Sequence, residues 1–257
     1  MNEAFRSIQR SLPVGVFALL SFALAFAAPE QSRTGDEGRA ADPRLREVLE
    51  AFDRVQSGIR TLSAEFSETT TSQILSEPLQ SRGRFFLTKP ASVLWEYVEP
   101  EPMRFVVAND EYIGYFPERK KAERSDVRRW SERIFRIFGL GQTSEELAKF
   151  YTIRLADPDP DMKGTKLLVL EPKKRRVRRR VEQVRFWVDA STYLPVRFEL
   201  TGREGYARVI RFRDVRVNPD LSATLYRLEV PPGVKVTSGT SGLDAVRPRG
   251  PSQAPRP

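Results

Sequence analysis

Three groups of residues in this chain have types and spacings that could do chemistry. Glu65 and Glu68, and again Glu96 and Glu99, stand three residues apart and could serve as a general acid and base. Asp157, Asp159 and Asp161 alternate with Pro158 and Pro160 and offer oxygen donors to a hard cation such as calcium. Residues 173–180 (KKRRVRRR) gather Lys173, Lys174, Arg175, Arg176, Arg178, Arg179 and Arg180. That density of charge suits acidic lipid headgroups, a phosphorylated ligand or an acidic protein patch.

Each group also has a plainer reading. The glutamates alternate with Phe66, Trp95 and Tyr97 as exposed strand residues do. The aspartate run lacks the turn glycine and the later bidentate glutamate of a hand-like calcium loop, so it reads as a charged hairpin loop. The basic run reads equally as a solvated hairpin tip blunted by charge. With no histidine and no cysteine in 257 residues, Ser-His-Asp and Cys-His nucleophile pairs, zinc sites of nitrogen and sulfur ligands and disulfides are all excluded. Glycine-rich phosphate loops and the G-x-S-x-G elbow are absent too. The reading is therefore non-enzymatic, with no catalytic residue, no metal and no cofactor.

The elements that must position these residues begin after an export signal. Arg6 and Arg10 precede an apolar run of about 13 residues from Val14 to Phe26, shorter than the roughly 20 a spanning helix needs, and small residues follow. Residues 1–27 are thus expected to be a signal peptide cut after Ala27, which lowers the net charge from +9 to +8. Export removes the nucleic-acid reading of that charge, and the absent cysteine leaves no site for a lipid anchor. Residues 28–41 are polar and aperiodic and read as a linker. Asp42-Pro43 then opens a helix whose apolar residues Leu45, Val48, Leu49, Phe52 and Val55 fall on one face, with Gly58 as its stop.

Period-two alternation predicts strands at 62–71, 83–88, 93–98, 104–108 and 111–116, and later at 151–156, 165–171, 181–189, 194–201, 207–217 and 226–230. Between these sets a helical period runs from Asp126 to about Tyr151, broken by Gly139-Leu140-Gly141 and restarted by a capping arrangement at Thr143 or Ser144. The fold class is mainly β (α+β): one domain over 42–236 of about ten or eleven strands with three helices, and a Pro- and Gly-rich disordered tail at 237–257. Phe66, Phe85, Leu87, Trp95, Tyr97, Phe105, Val107, Tyr112 and Tyr115 give more large apolar groups than one helix can cover. They read either as an ordinary core or as a curved sheet facing a hydrophobic cavity.

The segment 83–100 (GRFFLTKPASVLWEYVEP) and the segment 106–117 (VVANDEYIGYFP) resemble the LolA family of periplasmic lipoprotein carriers, as do 189–195 (DASTYLP) and 228–234 (LEVPPGV). Together these cover most of residues 45–236. The resemblance implies a strongly curved, incomplete antiparallel β-barrel with a helical lid, whose interior receives acyl chains. It implies Trp130, Ile134, Phe135 and Phe138 as the lid and Lys89 as the basic residue that controls cargo release, here with a point charge in place of a planar fork. It also implies a lipoprotein or lipid cargo, an inner-membrane lipoprotein-releasing transporter as donor and an outer-membrane acceptor. The expected protein is a monomeric carrier that touches the membrane surface transiently through the basic run. The alternative is a periplasmic sensor or scaffold that uses the same cavity to detect lipid.

Overall fold

The structure, a computed structural model, describes residues 42–73, 75–128, 143–203 and 205–239. The lid residues Trp130, Ile134, Phe135 and Phe138 lie outside the described residues, as do the segments 1–27 and 28–41 and all of the tail beyond Gly239.

Helix α1 (Pro43–Gly58) starts where its sequence signals place it. The Asp42 side chain accepts the backbone N–H of Arg44 at 2.9 Å, and Pro43 fills a first-turn position that has no hydrogen-bond partner to lose. The helix buries Val48, Ala51 and Phe52. At its other end the Asn218 amide donates to the Gly58 carbonyl and accepts the N–H groups of Arg60 and Thr61. One side chain thus caps the helix and aims the first strand.

The strands are β1 (Thr61–Thr71), β2 (Leu79–Thr88), β3 (Ser92–Glu99), β4 (Met103–Ala108), β5 (Glu111–Phe116), β6 (Lys121–Asp126), β7 (Tyr151–Ala156), β8 (Thr165–Pro172), β9 (Val181–Asp189), β10 (Pro195–Gly202), β11 (Ala207–Val217) and β12 (Lys235–Ser238). Two short helices, α2 (Ser144–Ala148) and α3 (Arg175–Arg178), precede β7 and β9. The twelve strands form one sheet in the order β12-β6-β5-β4-β3-β2-β1-β11-β10-β9-β8-β7. All neighbours pair antiparallel except β12 on β6. Two meanders, β1 to β6 and β7 to β11, therefore meet at a single seam between β1 and β11.

The sheet is strongly curved, and its core shows why. Tyr112 on β5 and Leu168 on β8 belong to one buried cluster although eight strand positions separate them, which in a flat sheet would hold them about 38 Å apart. Only a sheet wrapped around α1 brings both to the same interior, where Phe52 of α1 meets Phe186 of β9 edge to face at 6.1 Å. The convex side carries two smaller apolar clusters: Leu94, Val106 and Ile113 under Tyr226 and Leu228, and Leu167, Val169 and Trp187.

Ten of the expected strands are present, and the departures have physical causes. The segment expected as a strand at 226–230 is a 3-10 turn (Ala223–Tyr226) followed by chain that pairs with no strand. Its alternation is real, because Tyr226 and Leu228 both press onto the convex face of β3 to β5, but the segment crosses that face and does not extend its ladder. β6 reads KAERSD, too charged for any apolar alternation, and its Asp126 ends a strand where the sequence predicts a helix start. β12 is held by backbone pairing to β6 with Val236 half exposed, and it runs across the boundary expected at 236.

Candidate functional site

The concave face of β1 to β5 is an aromatic floor built by register. Phe85, Trp95 and Phe105 are direct neighbours across β2, β3 and β4, and Leu87, Val93, Val107 and Tyr112 form the next row across β2 to β5. Phe66 of β1 closes on Trp95 at 4.6 Å and on Tyr97 at 5.2 Å, while Tyr97 meets Phe105 at 6.0 Å, within the spacing at which rings attract one another. Gly83 makes this possible. It lies between Phe66 and Tyr97 in the ladder, and a Cβ there would stand 2.8 Å from the Phe66 ring and 1.9 Å from the Glu96 carbonyl oxygen. All eight expected residues on this face are at most 3% exposed, so the floor is closed by its own packing, by α1 and by the strands that curve over it. Surface cavities open elsewhere among the described residues. One of about 490 Å³ is lined by Val106, Ile113, Arg124 and Tyr226 on the convex side, and one of about 300 Å³ lies between the start of α1 and the β7–β8 turn.

Tyr115 is not part of the floor. Three residues after Tyr112 on the same strand, it must point the other way, and it packs with Leu94, Val106 and Ile113 on the convex side.

The glutamates divide in a way the sequence reading missed. Glu65 is exposed, and Glu96 forms ion pairs on the convex side with Arg84 at 2.7 Å and Arg104 at 3.2 Å, while exposed Glu99 pairs with Arg82. Glu68, expected as an exposed strand residue, is buried on the concave face. There it accepts from Arg208 Nη2 at 2.6 Å and from the Tyr97 hydroxyl at 2.8 Å through one oxygen, and from the Thr70 hydroxyl at 3.3 Å through the other. Arg208 Nη2 also donates to the Tyr97 hydroxyl oxygen at 2.9 Å. Burial works against the charge on Arg208, but the Glu68 carboxylate together with Tyr97 and Tyr206 more than offsets it and holds the guanidinium above its usual range. Burial, reinforced by Glu68, likewise pushes the Tyr97 hydroxyl well above the ordinary tyrosine range. The signal was present in the sequence: Glu68 follows Phe66 by two residues and Arg208 precedes Ile210 and Phe212 by two and four, so both charges stand in the apolar phase of their strands.

Asp159 and Asp161 act as counter-charges. Arg185 and Arg197 flank the Trp187 ring at 4.5 and 4.4 Å, with Asp159 bonded to Arg185 at 2.7 Å and Asp161 3.9 Å from Arg197. No cluster able to hold a metal ion occurs among the described residues. The basic run closes the β8–β9 connection as the single turn α3, with Val177 turned toward the core and the six flanking arginine and lysine side chains from Lys174 to Arg180 exposed. Lys173 fastens this turn to the end of α2, donating from its ammonium to the Ala148 carbonyl and from its backbone to the Phe150 carbonyl.

The family model for the outer membrane lipoprotein carrier protein LolA matches residues 57–229 of this chain. The chain belongs to the LolA family. A curated LolA-family relative, the outer-membrane lipoprotein carrier protein of Dechloromonas aromatica (strain RCB), is 27% identical over 178 residues, 69% of this chain and 81% of that protein. Among solved structures, an uncharacterized conserved protein from Thermus thermophilus is 14% identical, with 76% of this chain and 99% of that chain covered and a TM-score of 0.46. A LolA superfamily protein from Nitrosomonas europaea is 12% identical, with 71% and 97% covered and a TM-score of 0.38.

Lys89, the basic residue of the LolA-like motif, stands at the end of β2 and donates from Nζ to the Gln56 carbonyl in the last turn of α1 at 2.9 Å. A cation at a helix C-terminus is favourably placed. Burial lowers its pKa from the usual lysine value, and Glu146 of α2 opposes that shift. Asp53 of α1 in turn accepts both the backbone N–H and the hydroxyl of Ser144, and Thr143 and Glu146 complete a capping box on α2, where the sequence predicts one. These contacts join β2, α1 and α2 into one chain of bonds across the mouth of the curved sheet.

Proposed function

We propose that this protein is a periplasmic carrier that takes up the acyl chains of lipoproteins, or of another lipid, on its concave face and moves them from the inner to the outer membrane. The observation that carries this reading is the continuous aromatic floor inside a curved sheet in a LolA-family chain. Chain uptake needs apolar surface that can be uncovered and covered again. Burying an acyl chain gives about 0.8 kcal/mol per methylene, so a permanently open cavity would hold its cargo too firmly to release it. Here α1 and the rings themselves fill the interior, and their return to it offsets most of that gain when cargo leaves. The bond from Lys89 to Gln56 is one of the contacts that must break for α1 to lift, with those of Asp53 to Ser144 and Asn218 to Gly58, which gives Lys89 its role in release. An inner-membrane transporter hands over the cargo and an outer-membrane acceptor takes it, with the exposed arginines around α3 touching an anionic membrane surface in between. No described helix is long and apolar enough to cross a membrane.

The test is purification from a Gram-negative periplasm without detergent, followed by mass spectrometry of what is bound. Acylated protein or lipid at a substantial fraction of the carrier is the expected result. A ligand-free protein that also fails to take up acyl chains after Lys89→Ala would overturn the reading.

A further inference from the structure

The seven cations of residues 173–180 do not all stand alike. Lys174, Arg175, Arg176, Arg178, Arg179 and Arg180 are exposed around the single turn α3, while Lys173, exposed too, reaches back from the run to the mouth of the sheet. Its ammonium donates to the Ala148 carbonyl at 2.7 Å, and its backbone N–H donates to the Phe150 carbonyl at 2.9 Å. The first bond sets a cation on the C-terminal end of α2, where the aligned peptide dipoles favour positive charge. The second keeps the chain fastened when the side chain lets go.

With five residues, α2 is too short to hold itself helical in water, so its position depends on what grips it. At its start Asp53 of α1 accepts the backbone N–H and the hydroxyl of Ser144. In its middle Leu147 is buried in the core, and Glu146 lies near enough to Lys89 to oppose the effect of burial on that ammonium. At its end stands Lys173. The basic run is thus linked through α2 to two of the groups that hold α1 over the aromatic floor, Asp53 and Lys89.

Lys173 is the grip that can be reached from outside. Two peptide units separate it from Arg175, so their Cα atoms are at most about 7.6 Å apart, and phosphates that pair with the arginines of α3 come within reach of the Lys173 ammonium. An anionic phosphate oxygen is a stronger partner for an ammonium than a neutral carbonyl is. A negatively charged bilayer also attracts each of the other six cations, which brings many such oxygens to the run at once. Away from a membrane that competition is missing, and the bond to Ala148 persists.

We propose that the basic turn regulates the carrier: contact of α3 with an anionic bilayer draws the Lys173 ammonium from the Ala148 carbonyl to a lipid phosphate, which loosens α2 and with it the hold on α1. This inference rests on the carrier reading and adds to it the place where exchange occurs. The floor stays covered in solution and is uncovered against a membrane, so an apolar cargo is not let go into water.

The experiment follows backbone hydrogen exchange by mass spectrometry on the full-length exported protein. It is measured alone, with phosphatidylcholine vesicles, with vesicles of equal parts phosphatidylcholine and phosphatidylglycerol, and with inorganic phosphate. Only the anionic vesicles should speed exchange of the α1 and α2 amides, by at least about tenfold, the factor for losing a hydrogen bond from a charged donor. Amides of β1 and β11 at the seam should keep their rates. Lys173→Met, which retains the other six cations and so still binds the vesicles, should show the faster exchange with no vesicle present. Failure of the wild type to bind the anionic vesicles, unchanged α1 and α2 rates once bound, or unchanged rates in Lys173→Met would each overturn the trigger. So would acceleration by inorganic phosphate, which makes the run a simple anion site, or acceleration that extends to the seam, which is general destabilisation. Lipid found in the detergent-free preparation would then still uphold the carrier reading, whereas its absence would count against that reading whatever the exchange rates show.

Discussion

The two faces of this sheet are made by the same strands from the same residue types, yet charge behaves oppositely on them. On the convex face Glu96 sits between Arg84 and Arg104, and Trp187 lies between Arg185 and Arg197, with Asp159 and Glu199 sharing the arginines. Those groups have water as an alternative partner. On the concave face Glu68 and Arg208 are 4% and 1% exposed and are partnered by each other and by Tyr97, Thr70 and Tyr206. The difference shows that an ion pair's importance here follows from what would replace it, and on the concave face nothing in the protein itself would.

The largest test of this contrast is to remove one arginine from each face. Arg208→Met, which leaves Glu68 buried and unpaired, should lower unfolding free energy by about 3–5 kcal/mol, whereas Arg84→Met should lower it by less than about 1 kcal/mol. Denaturant midpoints measure both, and similar losses would erase the distinction between the faces. A second comparison concerns packing. Gly83→Ala places a methyl against the Glu96 backbone and the Phe66 ring and should destabilise by about 1–3 kcal/mol, while Gly58→Ala, with nothing within 4 Å, should be neutral or stabilising by up to about 1 kcal/mol. Thermal melts of the two alanine variants check this, and equal melting temperatures would mean that the concave floor is not fully packed.

A smaller effect is set by pH. Tyr97, Tyr151 and Tyr206 have pKa values raised chiefly by burial, so the folded protein keeps protons that the unfolded chain loses above about pH 10. Their contribution is complete below that pH and disappears as pH rises through the folded-state values, so stability should fall on the alkaline side. In Tyr97→Phe the fall should be shallower. An unchanged slope would show that the concave hydroxyl titrates as an exposed one does. The smallest effect on stability belongs to α3. Replacing the arginines at 175, 176, 178, 179 and 180 with glutamine should leave the melting temperature within error but abolish salt-sensitive binding to vesicles containing anionic lipid. Equal vesicle binding would remove the membrane-contact role.

Legibility in the sequence follows the physics of alternation. Strands with one apolar face, such as β3 with Val93, Trp95 and Tyr97, announce both their existence and the face that forms the candidate site. β6 does not, because its place is secured by ladder bonds to β5 and β12 and not by apolar side chains. The segment around Leu228 alternates because it lies against a sheet, and alternation cannot say whether that contact is along an edge or across a face. Tyr115 groups with Tyr112 by proximity in the sequence although period two separates them. Glu68 and Arg208 are legible only as violations, two charges in apolar phase on strands whose pairing the sequence does not display.

That pairing has a consequence for how the chain acquires its shape. Hairpins with short connections run from β1 to β6 and again from β7 to β11, and each series can zip up locally. The seam where Leu62 meets Val217 cannot form until nearly all of the chain is present, since it joins the first strand to the eleventh. Closing so long a loop is the slow kind of step in folding. Before it happens Phe66 and Phe212, and Glu68 and Arg208, stand on strands that are not yet paired. The folding chain therefore presents its most apolar surface before the seam closes, and that interval is when it has most need of protection from aggregation.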